Sequence, residues 1–485
     1  LLNWKLLAKI LSFIVMIIGL SMLPALISAY IYDDMFTVKA FLIPAAISII
    51  GGGICNKLIA PKNMTLRLRD GYLVVALCWI LASLIGAFPY YISAGNTGMI
   101  DAIFESVSGF TTTGCTVAAI DALPKSLLFW KAITHWLGGM GILVFVIAIL
   151  PALGIGGQTI ARVETPGPTF EKVATKTSDS TKLLYLTYIV FTIIEFLLLW
   201  LGSDMGAFDA LINTMGSIST GGLFAHTEGI GYYDSVYVEF VISIFCFLGS
   251  VSFAIYFLVI RGRWKEAVKD VELRVYSAII IVATILMASN LYYTETYNTF
   301  ASAIRHSSFQ IISFVSTAGY AIADYTAWPP FSQSILFILM FVGGCGASTC
   351  GGMKVMRVIV SFKLIARMFF KRLHPNGVIA VVVGGKAIPA QVVSKTSSFM
   401  VLYILVFIVS VFILSLQNLD FETTIGYAAG ALGNTGLGFG ELGSTGNFDI
   451  FGPPMRLYFC FMMLMGRLEL FALLIIFTPA FWKTK

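Results

Sequence analysis

The residues with chemistry to offer lie in short polar runs that each end in glycine. Thr112-Thr113-Gly114, Thr220-Gly221-Gly222, Thr317-Ala318-Gly319 and Asn434-Thr435-Gly436 place Thr or Asn, a small residue and Gly in succession. None of these runs holds a nucleophile with its base. What they offer is backbone carbonyl oxygen, which replaces the water shell of a desolvated monovalent cation when several loops converge on an axis. Glycine accepts positive φ, so successive carbonyls can face the same way, and small neighbours let the loops approach closely. One such tripeptide would be a surface turn.

Four of them recur in one frame. Residues 101–114 (DAIFESVSGFTTTG) align without a gap over 209–222 (DALINTMGSISTGG), 306–319 (HSSFQIISFVSTAG) and 423–436 (TTIGYAAGALGNTG). The terminal glycines Gly114, Gly222, Gly319 and Gly436 lie 108, 97 and 117 residues apart. Repeats this long are subdomains rather than the small units of a solenoid.

The elements that must position these loops are membrane helices. The chain is 58% hydrophobic and 12% charged, with a mean hydropathy of +0.89; a soluble domain carries about 25% charged residues. Apolar runs of spanning length recur throughout, as in a polytopic membrane protein. The net charge of +6 does not point to nucleic acid, because the basic residues cluster between alternate apolar runs, as cytoplasmic loops do. Seven scattered cysteines (55, 78, 115, 246, 345, 350 and 460), without a CxxC pair, argue against zinc or a disulfide framework. Residues 438–443 match GxGxxG but lack a preceding strand and a following helix, which excludes a dinucleotide site. No HExxH, Walker A or Ser/His/Asp arrangement has a suitable setting, so an enzyme is not expected.

Ten spans are expected, at 6–30, 39–57, 72–92, 127–150, 183–201, 236–260, 275–291, 332–365, 399–416 and 457–477. The first is read as a retained span, since no small-residue cleavage site follows Lys5 and Lys9. Two leading helices (1–70) precede repeat 1 (71–157), repeat 2 (158–261), repeat 3 (262–372) and repeat 4 (373–485); packing or dimer contact is the expected role of the leading pair. In each repeat a helix too short to cross about 30 Å enters and returns on one side. Irregular backbone at that depth is tolerated only where protein or a water-filled cavity surrounds it. The linkers at Lys57–Arg69, Arg162–Lys182, Arg261–Arg274 and Arg367–Arg372 are basic, which places both termini in the cytoplasm. The opposite loops carry Asp33, Asp34, Asp101, Asp121, Asp204, Asp209, Asp234, Asp324, Asp420 and Glu422, a cation-attracting field at the mouth.

Within the second span of repeat 3 lies Gly343-Gly344-Cys345-Gly346-Ala347-Ser348-Thr349-Cys350-Gly351-Gly352. Each Gly costs a helix about 1 kcal/mol, so the helix is expected to break into a loop below the filter. A flexible kink is the alternative. Arg467, within the last span, is a functional candidate by default: it would bond carbonyls freed by the broken helix or act as an electrostatic barrier. Glu469 stands two residues on, off the same helix face. Lys354 either reaches the cytoplasmic interface or takes part in gating. His135, Glu195 and Glu239 read as packed structural groups, with a proton relay as the alternative.

The four span–pore helix–span repeats resemble the Trk/Ktr/HKT superfamily of potassium transporters over essentially the whole chain. The two leading helices and the Gly-rich stretch are most similar to its bacterial TrkH branch. The resemblance implies an all-α integral membrane protein of the bacterial inner membrane, with potassium bound at the filter glycines and no covalent cofactor. Relatives with serine at the first filter position tend to pass sodium, so Gly114 implies a preference for potassium; Asn434 departs from the Thr of the other three loops. The resemblance further implies an intramembrane gating loop at 343–352, a homodimer in membrane lipid, and a cytoplasmic nucleotide-binding regulatory subunit resembling TrkA. A proton- or sodium-coupled symporter and an ion-conducting subunit of an ATP-driven complex are the alternative functions.

Overall fold

The computed structural model describes residues 2–33, 35–61, 63, 66–93, 98–141, 177–377, 379–440, 443 and 447–483. The expected second half of the repeat 1 span and most of the basic linker after it, with Arg162, Lys172 and Lys176, lie outside the described residues, as do Asp34, Lys62 and part of the 438–443 run. Helices α1 (Trp4–Ser21) and α2 (Leu23–Tyr32) form one 29-residue apolar segment. It is interrupted at Met22, just before Pro24, a residue without an amide hydrogen. Helix α3 (Met35–Leu58) returns antiparallel in sequence order and packs on α1. Gly19 and Gly52 make that contact close: a Cβ on Gly52 would stand 2.7 Å from the Ser12 carbonyl. This pair leans on the first repeat, α1 and α3 against its first span.

Repeat 1 comprises α4 (Leu68–Ser93), α5 (Met99–Phe110) and α6 (Lys125–Gly139). Repeat 2 comprises α7 (Thr177–Gly202), α8 (Ala207–Ile218), α9 (Val236–Ser250) and α10 (Phe253–Ile260), followed by the short α11 (Trp264–Val268). Repeat 3 comprises α12 (Val271–Tyr293), α13 (Phe300–Val315), α14 (Pro330–Val342) and α15 (Val355–Leu373). A two-residue hairpin, β1 (Val382–Val383) and β2 (Lys386–Ala387), turns at Gly384 and Gly385, both with positive φ. Repeat 4 comprises α16 (Ala390–Ser415), α17 (Phe421–Gly433), α18 (Pro453–Arg467), α19 (Phe471–Leu474) and the terminal α20 (Pro479–Trp482).

Six helices are long and apolar enough to cross a membrane, or eight if each bent pair is one span, among the described residues. Ile47, Val401 and Phe412 point outward at 65–72% exposure, as side chains facing lipid do. The protein is a multi-pass, all-α membrane protein. The four short helices α5, α8, α13 and α17 have 12, 12, 16 and 13 residues, about 18–24 Å of rise, so none crosses.

The expected spans at 236–260 and 457–477 are not continuous. The chain bends by 94° between α9 and α10 and by 113° between α18 and the segment from Phe471 to Phe477. In repeat 3 the helix stops at Val342 and resumes at Val355, as the glycine run predicts; in repeat 1, α6 ends at Gly139. Among the described residues, the second spans of repeats 2, 3 and 4 are thus interrupted part-way. In repeats 1, 2 and 4 the helix end coincides with close packing: a Cβ on Gly138 would collide with the Phe110 carbonyl, one on Gly249 would stand 2.9 Å from Ile218 O, and one on Gly466 would collide with Leu432 O. Each glycine lets its span cross the end of its own short helix.

Candidate ion-conducting site

The short helices end alike. Thr112, Thr220, Thr317 and Asn434 take left-handed φ values of 53°, 53°, 56° and 55°, the turn that ends a helix and frees its next carbonyls. The amides one residue on, at Thr113, Gly221, Ala318 and Thr435, bond back to Ser108, Gly216, Ser313 and Gly430 at 2.8–2.9 Å. The glycines that follow, Gly114, Gly222, Gly319 and Gly436, have φ of 82°, 66°, 71° and 78°. Positive φ on either side of one ordinary residue turns successive carbonyls toward one side. Each helix also directs the negative end of its dipole into the loop.

The four loops close on one another. A Cβ on Gly114 would collide with Gly221 O, on Gly222 with Ala318 O, on Gly319 with Thr435 O, and on Gly436 with Thr113 O. Four equivalent carbonyls thus form a ring, each against the next loop's glycine; eight of the twelve residues singled out from sequence meet there, and Thr112, Thr220, Thr317 and Asn434 make the turns leading into it. Asn434 differs in chemistry but suits the left-handed turn. Its Nδ2 donates to Thr113 Oγ1 at 2.9 Å and to Met463 O at 3.0 Å, tying loop 4 to loop 1.

Residues that sequence reasoning passed over brace the ring from behind. Glu105 is buried and pairs with buried Lys131 at 2.7 Å. Its other oxygen accepts from Thr116 Oγ1 and Val117 N at 2.8 Å and from Ala118 N at 3.1 Å. The same frame position in the other repeats holds Asn213, Gln310 and Tyr427. Gln310 Nε2 donates to Tyr320 O at 3.1 Å and the Tyr427 hydroxyl to Asn447 O at 2.9 Å. The aligned windows contain this signal, a polar side chain four residues after each window's start.

Residues 343–352 lie directly beneath the ring. Thr349 Oγ1 is 3.1 Å from Thr220 Oγ1, and Gly351 N donates to Thr317 Oγ1 at 2.8 Å. The bend in repeat 2 supplies further partners: Cys345 N donates to Ser250 O at 2.9 Å, Thr349 N to Gly249 O at 3.2 Å, and Phe253 N to Ala347 O at 3.1 Å. Gly343, Ala347, Gly352 and Lys354 have φ between 55° and 74°. Gly344, Gly346, Ser348 and Cys350 complete an irregular but hydrogen-bonded segment, the condition for such backbone at membrane depth.

Arg467 donates to Thr349 O at 2.5 Å, to Gly139 O at 2.8 Å and to Gly138 O, joining the loop to the end of α6. Glu469 does not partner it; that carboxylate pairs with Arg357 at 2.5 Å. The reading of Lys354 as reaching an aqueous interface is corrected: it is 3% exposed and its ammonium donates to Cys350 O within the loop. His135 is buried with Nδ1 on Lys131 O at 2.9 Å, and a Cβ on Gly221 would collide with its ring. Glu195 accepts from Ser217, and Glu239 pairs with Arg305 at 2.6 Å.

The acidic loops do more than set a field. Asp101 pairs with Arg456 at 2.5 Å, Asp121 accepts from Thr227, and Asp209 lies 3.1 Å from His226 Nε2. The Thr227 hydroxyl holds the Asp121 carboxyl below the usual carboxylate range. The Asp101 contact joins repeat 4 to repeat 1 and the Asp121 contact joins repeat 1 to repeat 2. Glu239–Arg305 joins repeats 2 and 3, and the Tyr325 hydroxyl on Gly438 O at 2.7 Å joins repeats 3 and 4.

Comparison with known proteins bears on this arrangement. A family model described as TrkH, cation transport protein, matches residues 37–484. A Trk system potassium uptake protein TrkH from Halomonas elongata is 33% identical over 483 residues, 99% of each chain. The protein of the same name from Escherichia coli K12 is 35% identical over 422 residues, 86% of this chain and 87% of that one. The crystal structure of the potassium transporter TrkH from Vibrio parahaemolyticus superposes with a TM-score of 0.89 at 31% identity, covering 99% of this chain and 100% of that one.

Proposed function

The chain belongs to the TrkH family of cation transport proteins, and from that premise we propose that it takes up potassium across the bacterial inner membrane. The observation that carries the reading is the closed ring, in which the carbonyls of Thr113, Gly221, Ala318 and Thr435 each abut the next loop's glycine. Such a ring replaces the hydration shell of a dehydrated cation, with the short helices' negative ends adding to the field. The potassium ion is cargo, and the twelve loop residues are its coordination site. The 343–352 loop and Arg467, lying beneath the ring, obstruct the pathway and act as the gate, with Lys354 holding the loop's end.

The basic linkers lie on the cytoplasmic side with both termini in this topology. The relatives' names speak of a Trk system, which favours a further component; a cytoplasmic nucleotide-binding subunit docked on those linkers would supply the regulation, and the leading helices suit a homodimer.

Rubidium uptake into liposomes holding the purified protein, driven by a potassium counter-gradient without ATP, tests the reading. Block by potassium far better than by sodium, and indifference to a proton gradient, is expected. Absence of uptake by folded protein would overturn self-sufficient conduction. A coupled reading draws on His135 Nε2 and Glu195 Oε2, buried atoms without a hydrogen-bond partner among the described residues; uptake that follows the proton gradient would favour it.

A further inference from the structure

We propose that Glu272 is the latch that holds the 343–352 loop under the ring and couples it to the cytoplasmic face. The inference rests on the reading of that loop as the gate and adds how the gate is held. Glu272 lies in the first turn of α12 and is 3% exposed. Its Oε1 accepts from Gly346 N at 2.7 Å and from Met356 N at 3.0 Å. The first donor is inside the loop and the second is in the first turn of α15, so one oxygen spans both flanks. Hydrogen bonds from amides to a carboxylate are about twice as strong as neutral ones, and the amino end of α15 favours a negative charge there.

The same turn is built into the cytoplasmic surface. Asp270 caps α12 through Leu273 N at 3.0 Å, and Arg274 Nε donates to Val268 O at 2.9 Å, joining α12 to α11. Val271 packs in one apolar cluster with Val383 of the hairpin, and a Cβ on Gly384 would stand 3.3 Å from its Cγ2. Segment 264–274 and the hairpin therefore move with Glu272. A displacement of about 1 Å stretches both bonds past hydrogen-bonding range, and the loop loses its attachment on that side. A partner bearing on this surface would release the gate without touching it. Glu272 is a positioning residue; it does not touch the ion.

The loop's own cysteines report the latch. Cys345 and Cys350 are buried, as are Cys78, Cys115, Cys246 and Cys460, whereas Cys55 is exposed. In a Cys55→Ser background, liposome-reconstituted protein is treated with a small maleimide, and each site is quantified by mass spectrometry alongside rubidium flux. Glu272→Ala removes both bonds and is expected to raise modification of Cys345 and Cys350 at least about tenfold, the factor for losing a single charge-assisted hydrogen bond, and to raise flux in parallel. Cys78, Cys246 and Cys460 are expected to stay protected. Glu272→Gln keeps an acceptor oxygen at Oε1 but loses the charge, and is expected to fall between the parent protein and Glu272→Ala.

Equal acceleration at every buried cysteine would make Glu272 a general fold residue and overturn the proposal, as would unchanged protection of Cys345 and Cys350. A variant shortened within 343–352 is measured in parallel. Raised flux there, with Glu272→Ala unchanged, removes the latch and leaves the gate. No rise in the shortened variant removes the gate reading itself.

Discussion

Gly222 stands at φ 66° with the Ala318 carbonyl where a side chain would begin. Gly222→Ala meets two obstacles at once: left-handed backbone costs a residue with a Cβ about 1–2 kcal/mol, and the methyl displaces one of four ring oxygens. Rubidium uptake is expected to persist while the preference of potassium over sodium as competitor falls about tenfold. A preference unchanged within error would show that the ring does not discriminate. Position 222 is legible in sequence because four windows share a frame, and the fifth position of each window carries a constraint of its own. Glu105 and Lys131 are harder to find. They are 26 residues apart on different helices, and each reads alone as a charge stranded among apolar neighbours. Only folding shows that the charges cancel and hold the loop's exit.

Helix ends divide into those set locally and those set by a neighbour. Asp420 caps α17 by accepting from Thr423 N at 2.9 Å, and the Thr423 hydroxyl and amide together hold its carboxyl below the usual range. A depressed folded value stabilises above the unfolded carboxylate pKa, about 3.9, and that stability is lost as pH falls through the folded value. Asp420→Ala is expected to lower the stability of detergent-solubilised protein at pH 7 by about 0.5 kcal/mol, the low end for an exposed cap. The deficit should close as pH drops below 4, followed by thermal unfolding. A deficit constant with pH would assign it to packing. Caps of this kind can be seen in sequence. The breaks at Ser250–Ser252 and after Arg467 are hidden because each is imposed by another helix's carbonyl end; a single glycine within an apolar run carries that information weakly. The ten-glycine-and-small-residue run of repeat 3 is the exception, since no partner is needed to predict its break.

Across the whole molecule, contacts between consecutive repeats follow the order of the chain and then close on themselves. Arg456 makes the closing joint, bonding Asp101 at 2.5 Å and Asp449 Oδ1 and O at 2.7 Å. Arg456→Gln is expected to destabilise the folded protein by about 1–3 kcal/mol, because it leaves the buried side of Asp101 without its charged partner. The midpoint of thermal unfolding should fall, with potassium raising it less than in the parent because repeats 4 and 1 keep the Asn434–Thr113 bond but lose the charged joint that supports it. A midpoint matching the parent's would mean that the other joints suffice. The ring's membership in one covalent chain has a genetic consequence. When four identical subunits surround an axis, one codon change alters all four positions, and mixed expression yields a binomial spread of assemblies. Here one codon change alters a single quadrant in every molecule, so the four quadrants can drift apart in sequence, as Asn434 has, and each can be dosed singly.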